Sequence, residues 1–181
     1  MLSEYRLRAL LSNKQFESFV LAIYPSSRGF AFVVFEGPES PFDWGAKEFR
    51  GSDKNARSLN AIRELIERYR PDAIVIEDFT EDDARRSPRI RRLYRSIVAL
   101  AQTECIDLFR YSKTQVRHSF GAAGVTTKHD IATAIARHIP AFGHRLPRFR
   151  KIWMSEDGRQ NLFDAAALGL THYVVNRSLL A

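Results

Sequence analysis

Two acids stand in settings that suggest chemistry. Glu77 closes the short apolar run Ala73-Ile74-Val75-Ile76-Glu77, and Asp164 lies near the start of Asn161-Leu162-Phe163-Asp164-Ala165-Ala166-Ala167-Leu168. A carboxylate at a strand end facing another on a helix is how many phosphodiester-cleaving sites hold divalent metal ions. Such a site needs more than two acids. The obvious place for a third, the end of the first apolar run, is Tyr24. Plainer readings stand beside this one: Glu77 as a solvated edge residue, Asp164 as a favourable charge in a first helical turn, and Tyr24 as an aromatic at the rim of a core.

The elements that must position these residues follow from periodicity. Phe19-Val20-Leu21-Ala22-Ile23 and Phe30-Ala31-Phe32-Val33-Val34-Phe35 are apolar runs of strand length, with Pro25-Ser26-Ser27-Arg28-Gly29 as the turn between them. Gly29 is free to take positive φ there. A third strand is expected over 43–49, and the three are expected to pair antiparallel. Helical stripes follow at Leu59, Ile62, Ile66, Tyr69 and at Ile90, Leu93, Ile97, Leu100. The uninterrupted run Ala73–Ile76 predicts a strand covered on both faces, as in a parallel sheet. A strand at Ile106–Tyr111 and a short helix near Ser112–Ser119 come next. Thr127-Lys128-His129-Asp130 has the form of a capping box opening a helix through Ile139. Residues 140–160 are expected to be irregular, and a last helix to span Asn161–Val175. The order β-β-β-α-β-α-β-α-α-α predicts an α/β domain with a mixed five-stranded sheet flanked by helices. The domain is expected over 18–181, after an N-terminal extension over 1–17 that includes a short helix. Strand one and the Ala73 strand would lie side by side with their C-terminal ends at one edge, where open α/β sheets place their sites. Tyr24 and Glu77 become neighbours, and Asp164 and Asn161 share the helix face that approaches them.

Composition narrows the class. The chain has 181 residues, 45% hydrophobic and 27% charged, which suits a globular domain with a sizeable core. A formal charge of +7 favours a polyanion, nucleic acid before membrane. The single Cys105 excludes an internal disulfide framework and a multi-cysteine zinc site, and its neighbours suggest a core thiol. No apolar stretch reaches membrane-spanning length and the first residues lack a signal-peptide core, so a cytoplasmic location is expected. Arg85, Arg86, Arg89, Arg91, Arg92 and Arg95 form a dense basic run after the acidic stretch Glu81-Asp82-Asp83. Phosphate contact and a solvated, acid-paired face are equal readings of it. Arg145, Arg148, Arg150 and Lys151 form a second cluster open to the same two readings.

Taken in register, these pieces resemble the RuvC-type Holliday-junction resolvases of the ribonuclease H-like superfamily. Leu21 through Gly29 is similar to the family's first strand and turn. Val75-Ile76-Glu77 is similar to the strand ending in its glutamate. Arg117 and Lys128 keep the interval of its two basic residues, eleven apart. Asp164-Ala165-Ala166-Ala167-Leu168-Gly169-Leu170 is similar to the helix bearing its last aspartate. The resemblance spans roughly residues 18–175.

The resemblance implies a homodimer acting on branched DNA in recombination, a Mg²⁺ (or Mn²⁺) cofactor if the chain is active, and none otherwise. It implies Glu77, Asp164 and Lys128 as catalytic groups, Glu77 and Asp164 being the metal ligands. It implies Arg117 and Lys128 as nucleic-acid contacts, with Phe79 as an aromatic for an unpaired base or, equally, a ring packed in the core; Arg86 and Arg89 come from the basic run. Two departures stand out: Tyr24 where the family has aspartate, and Asn161 where it has another acid. A phenol is a poor ligand for hard cations, and an amide oxygen brings no negative charge. The leading expectation is a junction-binding protein whose metal-dependent nuclease site is depleted at Tyr24 and Asn161. The alternative is an active Mg²⁺- or Mn²⁺-dependent endonuclease that recruits Asp78, Glu156 or Asp157. A ribonuclease H-like enzyme acting on RNA is a third reading, since fold does not select substrate.

Overall fold

The computed structural model describes residues 18–79, 86–121, 127–149 and 157–180. The expected N-terminal extension and its helix, the acidic stretch 81–83, Arg85, Arg150, Lys151 and Glu156 lie outside them. Strands β1 (Val20–Pro25), β2 (Gly29–Gly37) and β3 (Ser40–Glu48) are followed by α1 (Lys54–Tyr69), β4 (Ala73–Glu77), α2 (Pro88–Thr103), β5 (Asp107–Tyr111) and α3 (Lys113–Ser119). Helix α4 (Lys128–His138), a 3₁₀ segment (Pro140–Arg145) and α5 (Gln160–Leu180) complete the order. The 3₁₀ turn occupies part of the stretch expected to be irregular. Its Pro140 stands within the first two positions, where a missing N–H removes no intrahelical bond.

The five strands form one sheet in the order β3-β2-β1-β4-β5. The first three pair antiparallel, and β1 pairs β4 and β4 pairs β5 in parallel. This is the ribonuclease H-like mixed sheet, and its helices lie on both faces. Val20, Ala22, Tyr24, Ala31, Val33, Phe35, Ala73 and Val75 pack in one core with α4 and α5. The alternate residues Leu21, Ile23, Phe32, Val34, Ile74 and Ile76 form a second core with α1 and α2. The period-two pleat produces this division, and it puts residues 24 and 77 on the α5 side.

Helix α5 approaches the sheet closely where its buried surface carries small residues. Ala165, Ala166 and Ala167 are buried, and a Cβ at Gly169 would run into the ring of Phe35. This close approach holds Asp164 near the sheet edge. Helix α4 begins with the expected capping box: Thr127 Oγ1 accepts from Asp130 N at 3.2 Å, and Asp130 Oδ2 accepts from Thr127 N at 3.0 Å. Helix α3 starts with the same device at Ser112 and Gln115. The predicted stripe on α2 is buried throughout. On α1 the buried line runs through Ser58, Ala61, Ile62, Leu65 and Ile66, leaving Leu59 and Tyr69 at its margins.

Gly29 departs from expectation. Its φ is not in the left-handed region; glycine is required there because a Cβ would collide with the Lys47 carbonyl of the adjacent strand. Cys105 is exposed at positive φ just past α2, not in the core. The tight turn into β5 at Glu104-Cys105 turns its side chain outward.

Candidate active site and nucleic-acid interface

Parallel pairing of β1 with β4 runs from Val20 opposite Ala73 to Ile23 opposite Ile76, so Tyr24 and Glu77 end adjacent strands side by side. Asp164 reaches them from the first turns of α5. Together with Lys113, Arg117 and Lys128 they line a cavity of about 60 Å³, floored by Val116, Ile131, Ala167 and Leu168. The basic pair eleven residues apart is thus brought to one pocket by two different helices, α3 and α4.

Each acid is held by a cation. Arg86 Nη2 donates to Glu77 Oε2 at 2.7 Å, and Lys128 Nζ donates to Asp164 Oδ2 at 2.8 Å. Gln160 Nε2 donates to the other Asp164 oxygen at 3.1 Å. The same two cations flank Tyr24, whose ring centroid is 6.0 Å from the Arg86 guanidinium carbon and 5.6 Å from Lys128 Nζ. Tyr24 is 7% exposed and sits at the rim of the α5-side core. It is one of the plainer readings of this position, but it faces both carboxylates.

Burial pushes the Glu77 carboxyl above the ordinary glutamate range; Arg86 and Lys113 pull it down, and Asp164 adds to the rise. Burial also raises the Tyr24 phenol, with Asp164 next in effect, so the group is neutral and carries no charge toward a cation. The raised Glu77 value has a consequence for stability. The unfolded chain releases this proton at a lower pH than the folded one, so the contribution is whole below the ordinary glutamate value. It is lost as pH rises from there through the shifted value. Urea unfolding of wild type and Glu77→Gln across acid to neutral pH is expected to show a wild-type fall that the variant lacks. Parallel curves would overturn this assignment.

The remaining expected residues are placed differently. Asn161 does not reach the cavity; it lines the neighbouring one, of about 300 Å³, with Tyr24, Ser26, Arg86 and Asp157. Phe79 is 3% exposed, its ring packed on Tyr94 at 4.9 Å and under the Arg86 guanidinium at 4.6 Å, so it presents no open face for a base. Arg89 turns inward and donates from Nη1 to the Ser26 carbonyl, which draws it away from phosphate. Arg86 is likewise committed to Glu77. Of the substitute acids, Asp78 lies just past the end of β4, where its N–H donates to the Tyr111 carbonyl at 2.9 Å, and it does not line the cavity. Asp157 is clamped by Arg159 at 2.7 Å, which holds its carboxyl below the usual range. Lys113 and Gln160 were not anticipated. Lys113 carried a signal, since it follows the C-terminal end of a parallel strand.

The described residues do not fit a divalent-metal site. Among the described residues, no group of three or more His, Cys, Asp or Glu side chains comes together to hold an ion. The two acids at hand each carry a protein cation, and a neutral phenol lines the same cavity. Among the described residues no helix is long and apolar enough to cross a membrane.

No protein-family model matches the sequence, and no curated protein matches it. Solved structures do. RuvC of Thermus thermophilus is similar at 17% identity and a TM-score of 0.65, over 88% of this chain and 96% of that one. The same protein in complex with a Holliday junction substrate matches at 16% identity and 0.67, over 89% and 96%. The yeast mitochondrial Holliday junction resolvase Ydc2 matches at 13% and 0.59, over 90% and 81%. With a ribonuclease H-like sheet that carries its acids at the ends of β4 and α5, this chain has the fold of the RuvC-type resolvases.

Proposed function

We propose that this protein binds branched DNA, as a homodimer, and does not cut it. The observation that carries this is the sign of the pocket at the sheet edge. Among the described residues, Lys113, Arg117 and Lys128 line this pocket and Arg86 reaches its Glu77 from beside it, against the two carboxylates of Glu77 and Asp164. Such a pocket attracts phosphate and repels the divalent ions that phosphodiester hydrolysis in this fold would require. The chain's +7 charge acts in the same direction. The likeness to RuvC held on a Holliday junction substrate supports a four-way junction as the ligand. In this reading Arg117, Lys113 and Lys128 contact phosphates, and Glu77 and Asp164 organise those cations instead of ligating Mg²⁺.

The second reading, an active Mg²⁺- or Mn²⁺-dependent junction endonuclease, finds one observation in its favour. Asp157 faces the cavity that Tyr24 and Asn161 also line. It would have to leave Arg159 to act as a ligand.

The test is a labelled four-way junction incubated in Mg²⁺ and in Mn²⁺ with wild type and Asp164→Asn, run on native and denaturing gels. A retarded, uncut junction in both metals is expected. Metal-dependent cuts that vanish in Asp164→Asn would overturn the proposal and establish the endonuclease. An unshifted junction would remove DNA binding altogether.

A further inference from the structure

The ion pairs at the sheet edge form part of a longer arrangement. Lys128, Tyr24, Arg86, Phe79, Tyr94 and Arg110 follow one another across the end of the sheet, cation against ring. Lys128 and Arg86 lie on Tyr24, Arg86 lies on Phe79, Phe79 packs on Tyr94, and the Arg110 guanidinium carbon is 6.0 Å from the Tyr94 centroid. Arg86 therefore has three partners, two rings and the Glu77 carboxylate. Its side chain is only 17% exposed. A guanidinium fixed in this way is a structural part of the pocket, not a mobile surface group.

We propose that Arg86 and Lys128 are the resident cations of this pocket, neutralising Glu77 and Asp164 in the way divalent ions would in a metal-dependent site, with Tyr24 as the neutral spacer between them. The inference goes beyond DNA binding and does not depend on it. In it, Tyr24 and the two cations form one interlocked replacement. An aspartate restored at position 24 would still face two fixed positive charges. Restoring the acid is then only part of rebuilding a metal site; a resident cation must leave as well.

The experiment measures Mn²⁺ alone binding to the full chain, without DNA, by titration calorimetry and by loss of the free-ion electron paramagnetic resonance signal. The proteins are wild type, Tyr24→Asp, Tyr24→Asp/Arg86→Gln and Tyr24→Asp/Lys128→Gln. Wild type is expected to show no saturable site. Tyr24→Asp should gain weak binding, because a third carboxylate faces Glu77 and Asp164. Each double variant should bind about tenfold more tightly or better than Tyr24→Asp, since a unit positive charge within a few ångströms of a divalent ion is removed. Lys128 is half-exposed, so the Lys128 pair tests the idea even where the Arg86 variant does not fold. Double variants that bind no better than Tyr24→Asp would overturn the inference. So would a saturable wild-type site lost in Asp164→Asn. Neither result depends on whether the junction is bound, so failure here is distinct from failure of the DNA-binding proposal.

Discussion

Arg86→Ala is expected to lower the folding stability of this protein by about 3–5 kcal/mol, the usual penalty for removing one partner of a buried ion pair. Glu77 is 4% exposed and its carboxyl already lies above the ordinary range because burial outweighs its cations. Without the guanidinium, the carboxylate would be left desolvated at neutral pH, and the Phe79 and Tyr24 rings would lose the plate that packs against them. For a domain of this size the change corresponds to a fall in Tm of about 6–20 °C, at about 2–4 °C per kcal/mol. Replacing both partners, as Glu77→Leu/Arg86→Met, should recover most of the loss, because removing both charges also removes their desolvation. Lys128→Ala provides the contrast. Its side chain is 46% exposed, so water replaces it and the expected loss is about 0–1 kcal/mol. Thermal or urea unfolding of the four proteins distinguishes the cases. An Arg86→Ala variant as stable as wild type would show that Glu77 is solvated and the pair incidental.

The second large effect concerns DNA. If Lys113, Arg117 and Lys128 of each protomer in a dimer contact phosphates, about six contacts are made. Junction affinity should then fall on the order of a thousandfold between about 50 and 200 mM salt. Arg117→Ala should reduce the slope of log affinity against log salt by about two units in a dimer and about one in a monomer, with binding weakened similarly for all sequences. Arg117 and Lys113 are both exposed, so their removal should leave the fold intact. Competition binding across a salt series reads both quantities. A slope unchanged in Arg117→Ala and in Lys113→Ala would remove this pocket from the DNA interface. Affinity that survives these changes would come from elsewhere on the basic chain, and the salt series separates the two because it counts phosphate contacts residue by residue.

Much of the architecture was legible because burial imposes simple periods. The continuous apolar runs at 19–23 and 30–35 have strand length, the run at 73–76 predicts a strand covered on both faces, and the spacing of Ile90, Leu93, Ile97 and Leu100 predicts a helix with one buried side. The mixed character of the sheet followed from the alternation of strands and helices after 50. The pleat then determined which residues share a face, so the adjacency of Tyr24 and Glu77 was open to inference before any coordinate. Even the start of α4 was visible, because Thr127 and Asp130 stand at the interval over which a hydroxyl and a carboxylate can satisfy each other's N–H groups.

What sequence could not supply was the direction in which long side chains point. Arg86, Arg89, Arg91, Arg92 and Arg95 are one basic run on paper. In the fold Arg86 is drawn in by Glu77 and Phe79, Arg89 by the Ser26 carbonyl, while Arg92 and Arg95 project outward. The flexible stem of arginine lets one residue type serve the core or the surface, and only the partners brought near by tertiary packing decide which. Phe79 illustrates the same limit, since an aromatic after a strand end suits a stacking platform and a buried wedge equally well until Tyr94 covers it. Sequence alone therefore determined the sheet, its edge and the two acids that meet there, because hydrophobic periodicity is local and rigid. The tertiary structure alone decided that those acids are answered by Arg86 and Lys128, because charge pairing across residues 77 to 86 and 128 to 164 depends on distances that no spacing along the chain encodes.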